Sequence, residues 1–392
     1  MAGPHPIYLD YNATAPLLPA ALEAMTAALR DLPGNPSSPH GAGRAARDAL
    51  EAARAGLARL LGCSRREVYF TSGGSESNAW VFRAQAGLPR PLHVITSPIE
   101  HPSVLRCCEW LQGQGVAVSY LPVDGAGAVR VEALGSLFRP ETRLVSVMAA
   151  NNETGVVQPL RALAEEARRL AAGRPVLLHT DAVQAFGRIP LAAWEWGYGA
   201  VTIAAHKLGG PKGIGALALG AGVDLPGLIL GGRQERGRRA GTESVALALG
   251  FAAAAEWACA RQDDTAARLR GLRDGLIARL AGAEGFFVHG AGAERLPNTA
   301  CLGFEGVSAQ SLLVALDLDG VAVSTGSACS SGAVEPSHVL RAMGVPAARL
   351  ASALRVSLGW GTAEAELGRC AELLLANAAR LRGQRTVRAA AG

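Results

Sequence analysis

Residues 201–215 read V-T-I-A-A-H-K-L-G-G-P-K-G-I-G and hold the only two lysines of the 392-residue chain, Lys207 and Lys212. The other 36 of its 38 basic residues are arginine. Arginine keeps its proton in a protein, so it never serves as an amine nucleophile. Lysine does once burial or a nearby cation lowers its pKa. A lysine retained where arginine fills almost every other cationic role points to chemistry that needs an amine. Lys207, just past a β-branched run, is the candidate to condense with a carbonyl group. Lys212, in G-P-K-G, reads as structural or as a helper at a phosphate.

Other residues with chemical potential also follow short apolar runs. T-S-G-G-S-E-S-N at 71–78 crosses from a strand into a helix. Its glycines allow close backbone approach, and Ser75 adds a hydroxyl, so the stretch suits a phosphate or an ordinary helix start. His101 in E-H-P-S-V-L sits between a strand and a helix. N-N-E-T-G at 151–155 offers Asn152 as a partner for a carboxylate or ring hydroxyl, or as a turn former. H-T-D-A-V-Q-A at 179–185 sets Asp181 and Gln184 directly after a strand, where a carboxylate suits a protonated heterocyclic nitrogen or an N-cap. Together an aldehyde acceptor, a pyridinium partner and a phosphate cradle are what pyridoxal phosphate (PLP) requires.

Further along, S-T-G-S-A-C-S-S-G at 324–332 surrounds Cys329 with small or polar neighbours that cannot bury it. The expectation there is a mobile loop exposing a reactive thiol, whereas the other six cysteines lie in helical or apolar context. Arg355, in L-R-V-S-L, has the planar fork that suits a carboxylate.

These residues need elements to hold them. Strands are expected at 67–71, 93–96, 117–121, 143–148, 176–179, 200–203 and 214–219, with helices at 76–85, 103–112, 131–137 and 160–172. Such alternation predicts an α/β fold with a mostly parallel seven-stranded sheet covered on both faces. Ligands of such sheets bind beyond the carboxyl ends of the strands. Upstream, helices are expected at 17–31 and 45–61, separated by a polar loop at 35–44. Near 241 the pattern changes to one long helical stretch at 242–280. Strands at 286–288, 299–302, 321–324 and 354–358 follow, with helices at 309–317 and 363–381 and a frayed Arg/Ala tail. This region reads as a smaller α+β domain.

Composition narrows the class. A 49% hydrophobic and 18% charged chain is globular, and 392 residues exceed one typical core. A net charge of +5 with scattered arginines does not imply nucleic-acid binding. No run is long and apolar enough for a bilayer, and the first 15 residues lack a signal-peptide pattern, which predicts a cytoplasmic protein. Seven cysteines without CxxC spacing fit a reducing compartment and argue against structural zinc or a disulfide framework.

The ordered motifs resemble the cysteine desulfurases of the NifS/IscS type, fold type I PLP enzymes in the class V aminotransferase group. They include N-P-S-S-P-H-G-A-G-R, T-S-G-G-S-E-S-N, N-N-E-T-G-V-V-Q-P, H-K-L-G-G-P-K-G, G-G-R-Q-E-R-G-R-R-A-G-T-E and S-T-G-S-A-C-S-S-G. The cysteine loop is similar to that of the long-loop subgroup. This resemblance implies a large PLP-binding domain at 15–259, with 1–14 and 260–392 forming a small domain that carries Cys329. It implies that Lys207 holds PLP as a Schiff base and later moves the substrate α-proton. By the same resemblance Asp181 pairs with the pyridine nitrogen, Gln184 with the ring oxygen, and His101 is catalytic, stacking on the ring and assisting proton transfer. Gly74, Ser75 and His206 hold the phosphate, with Thr242 arriving from the partner subunit of a homodimer. Asn152, Arg355 and Asn35 contact the substrate, L-cysteine, and Cys329 takes its sulfur as a persulfide. The sulfur then passes to an acceptor such as an iron–sulfur scaffold or a tRNA-thiolation enzyme, without membrane or direct nucleic-acid contact.

Two departures from that pattern stand out. Ala204 replaces the serine usual three residues before the lysine, and Ser75 replaces a commoner threonine. A selenocysteine lyase or another class V lyase is an alternative. So, from a different class, is a non-catalytic sulfur-transfer scaffold.

Overall fold

The computed structural model describes residues 6–325 and 336–390. Its twelve strands are β1 (Ile7–Tyr8), β2 (Val68–Thr71), β3 (His93–Thr96), β4 (Ala117–Tyr120), β5 (Thr142–Ser146) and β6 (Leu177–Asp181), then β7 (Ala200–Ala204), β8 (Gly215–Leu219), β9 (Phe286–His289), β10 (Thr299–Phe304), β11 (Val321–Ala322) and β12 (Leu354–Ser357). Seven of them form one sheet in the order β2-β8-β7-β6-β5-β3-β4. All its neighbouring pairs are parallel except the two made by β8, which runs against both β2 and β7. Strands β2, β3, β7 and β8 are buried at every position, as a sheet covered by helices on both faces requires. The sheet is the expected α/β architecture, and its sequential parallel strands put their carboxyl ends along one edge.

One face of the sheet is closed by three helices, Pro19–Asp31, Gly41–Leu61 and Val245–Ala260. The last of these is apolar around much of its circumference because it is wedged between the other two and the sheet. Their backbones come close at Gly250, where an added Cβ would stand 2.5 Å from Met25 Cγ. On the opposite face Trp80, Phe82, Val104 and Leu111 pack from the helices Gly74–Gln85 and Pro102–Gly113.

A second core lies under the antiparallel sheet β12-β10-β9 and the parallel pair β1-β11, with Leu9, Leu276, Phe304, Leu316 and Leu374 at its centre. The chain start thus joins the later part of the sequence: β1 pairs with β11 and Asp10 bridges to Ser357.

The structure corrects several boundaries. The expected helix over 242–280 is two, Val245–Ala260 and Gln262–Leu280, broken at Arg261. The helix expected from 45 begins at Gly41, inside the presumed loop, because His40 Nδ1 accepts the Gly43 N–H at 3.2 Å and caps it. The tail expected to fray continues the helix Glu364–Ala390, since arginine and alanine are strong helix formers. Among the described residues no helix is long and apolar enough to cross a membrane.

Candidate active site

A cleft of about 440 Å³ opens at the carboxyl ends of the parallel strands. Gly74, Ser75, His101, Asn152, Asp181, Gln184, His206, Lys207 and Arg355 all border it, although the first and last of them are 281 positions apart in the sequence. Asn35 and Thr242 are not brought to this cleft within one chain. Asn35 is exposed and its Oδ1 accepts the Ser37 N–H at 2.9 Å, which closes a local turn. Thr242 is exposed and borders a separate cavity of about 100 Å³ with Ser72 and Arg239. Cys329 lies outside the described residues.

Lys207 follows β7 on a single 3₁₀ turn, Ala205–Lys207. Its Nζ donates to the carbonyls of Asn12 at 2.6 Å and Ala13 at 2.7 Å. Burial, then the cations Arg188 and Arg355, lower the amine to about 7, with Asp181 and Asp10 opposing. At neutral pH a large share of Lys207 is therefore the free, nucleophilic amine.

Asp181 ends β6, and both its oxygens are held. Oδ2 accepts from Asn78 Nδ2 at 2.6 Å, and Oδ1 accepts the Val183 N–H at 3.0 Å. Asn78 also donates to Ser103 Oγ at 2.9 Å, whose hydroxyl is 2.9 Å from His101 Nδ1. That ring caps the helix Pro102–Gly113 by accepting the Ser103 N–H at 3.1 Å, so the neutral imidazole carries its proton on Nε2. Burial holds His101 below its ordinary range; Lys207 and His338 add to the drop and Asp181 opposes it. His206, 3.3 Å from Thr14 Oγ1, falls to about 4 through burial and then the neighbouring Lys207 and Arg188. It would meet an anion as a neutral N–H donor.

The anion end of the cleft is the start of the helix Gly74–Gln85. Gly73 supplies no side-chain cap, so first-turn N–H groups stay available. An added Cβ at Gly74 would stand 2.8 Å from Val183 Cγ2, so only glycine leaves this backbone open. Ala204 is buried beside it, its Cβ 3.8 Å from that same position. The cleft therefore fits an aldehyde-bearing pyridine phosphate: amine, carboxylate and phosphate cradle are all present. Among the described residues, the buried Asn78 Oδ1 and Arg355 Nε have no hydrogen-bond partner there. Arg355 is not an unengaged clamp, because its Nη2 pairs with Asp10 Oδ1 at 2.8 Å and its Nη1 donates to the Asn152 carbonyl at 3.0 Å.

Three contributors escaped the sequence reading. Asn78 sits in a motif read only for its glycines and serine. Arg188 lies four residues after Gln184, a spacing that could have marked it as a neighbour. Asn12 spans the two halves: Nδ2 donates to Thr299 Oγ1 at 2.9 Å and Oδ1 accepts from Arg188 at 2.8 Å and Asn298 at 3.0 Å. Nothing local in D-Y-N announces that role.

Behind the cleft, Glu100 is fully buried. Oε1 accepts from Ser97 Oγ at 2.6 Å and from the Met148 N–H at 2.9 Å, while Oε2 has no partner among the described residues. Burial pushes its carboxyl up to about 8. The folded chain thus holds a proton that the unfolded chain releases near pH 4.3. Stability from this group is present at acid pH and is lost as pH rises through about 8. Glu100→Gln, which mimics the protonated form, should lose less stability than the parent between pH 5.5 and 8.5. Thermal denaturation at the two pH values checks this, and an equal difference in Tm at both would refute it.

An open sheet whose strand ends gather a lysine, an aspartate and a histidine around one cleft has the architecture of an α/β enzyme. The chain belongs to the class V aminotransferase family: the family model described as Aminotransferase class-V matches residues 7–369. It is 45% identical over 372 residues to a cysteine desulfurase of Cereibacter sphaeroides, covering 94% of each chain. It is 40% identical over 370 residues to cysteine desulfurase IscS of Methanosarcina thermophila, covering 94% of this chain and 91% of the relative. Among solved structures, a NifS-like protein from Rickettsia africae is 30% identical, with a TM-score of 0.85 over 95% of this chain and 99% of that one.

Proposed function

We propose that the chain is a PLP-dependent cysteine desulfurase that converts L-cysteine to L-alanine and carries the sulfur as a persulfide on Cys329. The observation that carries this reading is the convergence of Lys207, Asp181 and the open helix end at Gly74 on one cleft. PLP bound there supplies an electron sink for negative charge developing at the substrate α-carbon. Gly74, Ser75 and His206 hold its phosphate, Asp181 pairs with the ring nitrogen, Gln184 donates to the ring oxygen, and His101 covers the ring. Lys207, as a free amine, takes and returns the α-proton. Asn152 and Arg355 orient the substrate carboxylate. For Arg355 this means sharing its guanidinium with Asp10, whose Oδ1 accepts from Nη2, while Nε has no partner among the described residues.

The Cys329 thiolate attacks the substrate sulfur: a sulfur–sulfur bond forms, the carbon–sulfur bond breaks, and the carbon fragment leaves as alanine once protonated. The protein works as a cytoplasmic homodimer, with the exposed Thr242 of each subunit reaching its partner's cleft. An acceptor protein, an iron–sulfur scaffold or a tRNA-thiolation enzyme, removes the sulfur. The domain division is 15–259 against 1–14 with 260–392; Leu9 packing with Leu276 and Leu374 in the second core supports it, whereas Leu296 packs into the first. The test is alanine release from L-cysteine by the purified yellow protein. Retained colour without alanine would sink the reading.

Ala204 carries its own prediction. Ala204→Ser restores a hydroxyl beside the cradle, and one added hydrogen bond of about 1 kcal/mol should tighten PLP roughly fivefold. Titration of apoprotein by visible absorbance measures this. An unchanged affinity would place the missing hydroxyl away from the phosphate.

A further inference from the structure

Arg188 is absent from every motif that marked the site, yet its guanidinium joins three of the segments that build it. One terminal nitrogen donates to Gln184 Oε1 at 2.6 Å and Asn12 Oδ1 at 2.8 Å. The other donates to the Lys207 carbonyl at 3.0 Å and the Tyr11 carbonyl at 3.4 Å. All four acceptors are neutral, and among the described residues no carboxylate forms an ion pair with it. Arg188 and Lys207 also border a common cavity of about 50 Å³. Burial and then Arg355 bring the guanidinium down to about 10, so it remains a cation at neutral pH.

Two consequences follow from its chemistry. A guanidinium only donates, so the Gln184 oxygen must face Arg188. The Gln184 Nε2 then donates to the Asn12 carbonyl at 3.0 Å and keeps its second N–H for the cleft. A fixed positive charge without a counter-charge also disfavours a second cation beside it. The groups acting on Lys207 are Arg188 and Arg355 on one side of the balance and Asp181 and Asp10 on the other; Asp10 is itself paired with Arg355. His101 and His206, also adjacent, are both held toward the neutral form.

We infer that Arg188 is a positioning residue for the reaction: tethered to the Lys207 carbonyl and lacking a counter-charge, it favours the free amine and aims the Gln184 N–H into the cleft. The inference rests on the reading of Lys207 as the reacting amine. Competitive labelling of the full-length apoprotein tests it, using trace acetic anhydride from pH 6 to 11 and mass spectrometry of the labelled peptides. The parent has only two lysines and Arg188→Lys three, so fragment masses assign each label to its lysine.

Lys207 is expected to titrate near pH 7 in the parent protein. In Arg188→Met the midpoint should rise by about one unit, from loss of one nearby charge at an effective dielectric constant of about 20–40. Arg188→Lys keeps the charge without the fork and should stay within about 0.3 unit of the parent. A parent midpoint at the free-lysine value of about 10.4 overturns the inference, as does a folded Arg188→Met with an unchanged midpoint. If Arg188→Met does not fold, Arg188→Lys decides, because a rise of about one unit there assigns the effect to packing rather than charge. Labelling is independent of sulfur chemistry. A protein that releases alanine but shows an ordinary Lys207 therefore refutes this inference alone, and one that releases none refutes the desulfurase reading alone.

Discussion

Lys207→Ala is expected to purify colourless with added PLP and to release no alanine from L-cysteine, a loss of about 10⁴-fold or more. Only an amine that can lose its proton both condenses with a carbonyl and moves a proton at carbon. Lys207 has the burial and the cationic neighbours that bring it to about 7, close to the working pH. Lys207→Arg sharpens the test. It keeps length and charge in a chain that uses arginine for 36 of its 38 basic residues, yet it should be as inactive as the alanine variant. Both variants should stay folded, because the parent amine only donates to the carbonyls of Asn12 and Ala13. Absorbance of the purified protein, borohydride labelling of the Lys207 peptide and an alanine assay make up the measurement. Alanine production by Lys207→Arg would end the assignment.

Cys329→Ala should give the complementary signature: yellow protein that still binds L-cysteine but releases alanine at about one thousandth of the parent rate or less. Sulfur must be taken by a nucleophile, and a thiolate is the side chain suited to attack at sulfur. Other cysteines offer no substitute. Burial raises the thiols of Cys63, Cys301 and Cys370 to about 12 and that of Cys259 to about 11, and it raises Cys107 and Cys108 too. None of these six lines the cleft. Cys329→Ser should fail equally, since a hydroxyl is not ionised at neutral pH. A Cys329→Ala protein with full turnover would instead indicate a lyase that needs no persulfide. Together the two variants separate cofactor attachment from sulfur transfer: one loses colour, the other keeps it.

Much of the fold was legible because period-two and buried β-branched runs report directly on strands. His93–Thr96 coincides with its expected limits, and the other six strands of the large sheet differ by at most two residues at either end. The misses have local causes. The helix at Gly74 begins two residues early because its N-cap is a glycine, which carries no capping side chain to read. The reversal of β8 is invisible in composition, since a fully buried strand looks alike in either direction.

By itself the sequence nominated side chains with the right chemistry: an amine in Lys207, an acid after a strand in Asp181, a thiol among small and polar neighbours in Cys329. Those are properties of residue type and immediate neighbours. The tertiary structure decided what surrounds them. It ties Lys207 to Asn12, 195 positions away, and Asn12 to Thr299, 287 positions away. It pairs Arg355 with Asp10, places the uncompensated Arg188 beside the amine, and leaves Asn35 and Thr242 outside the cleft of their own chain. The physical reason is that periodicity records only which face of an element is buried. Charge, desolvation and hydrogen-bond partners are set by segments that meet only when the sheet has folded.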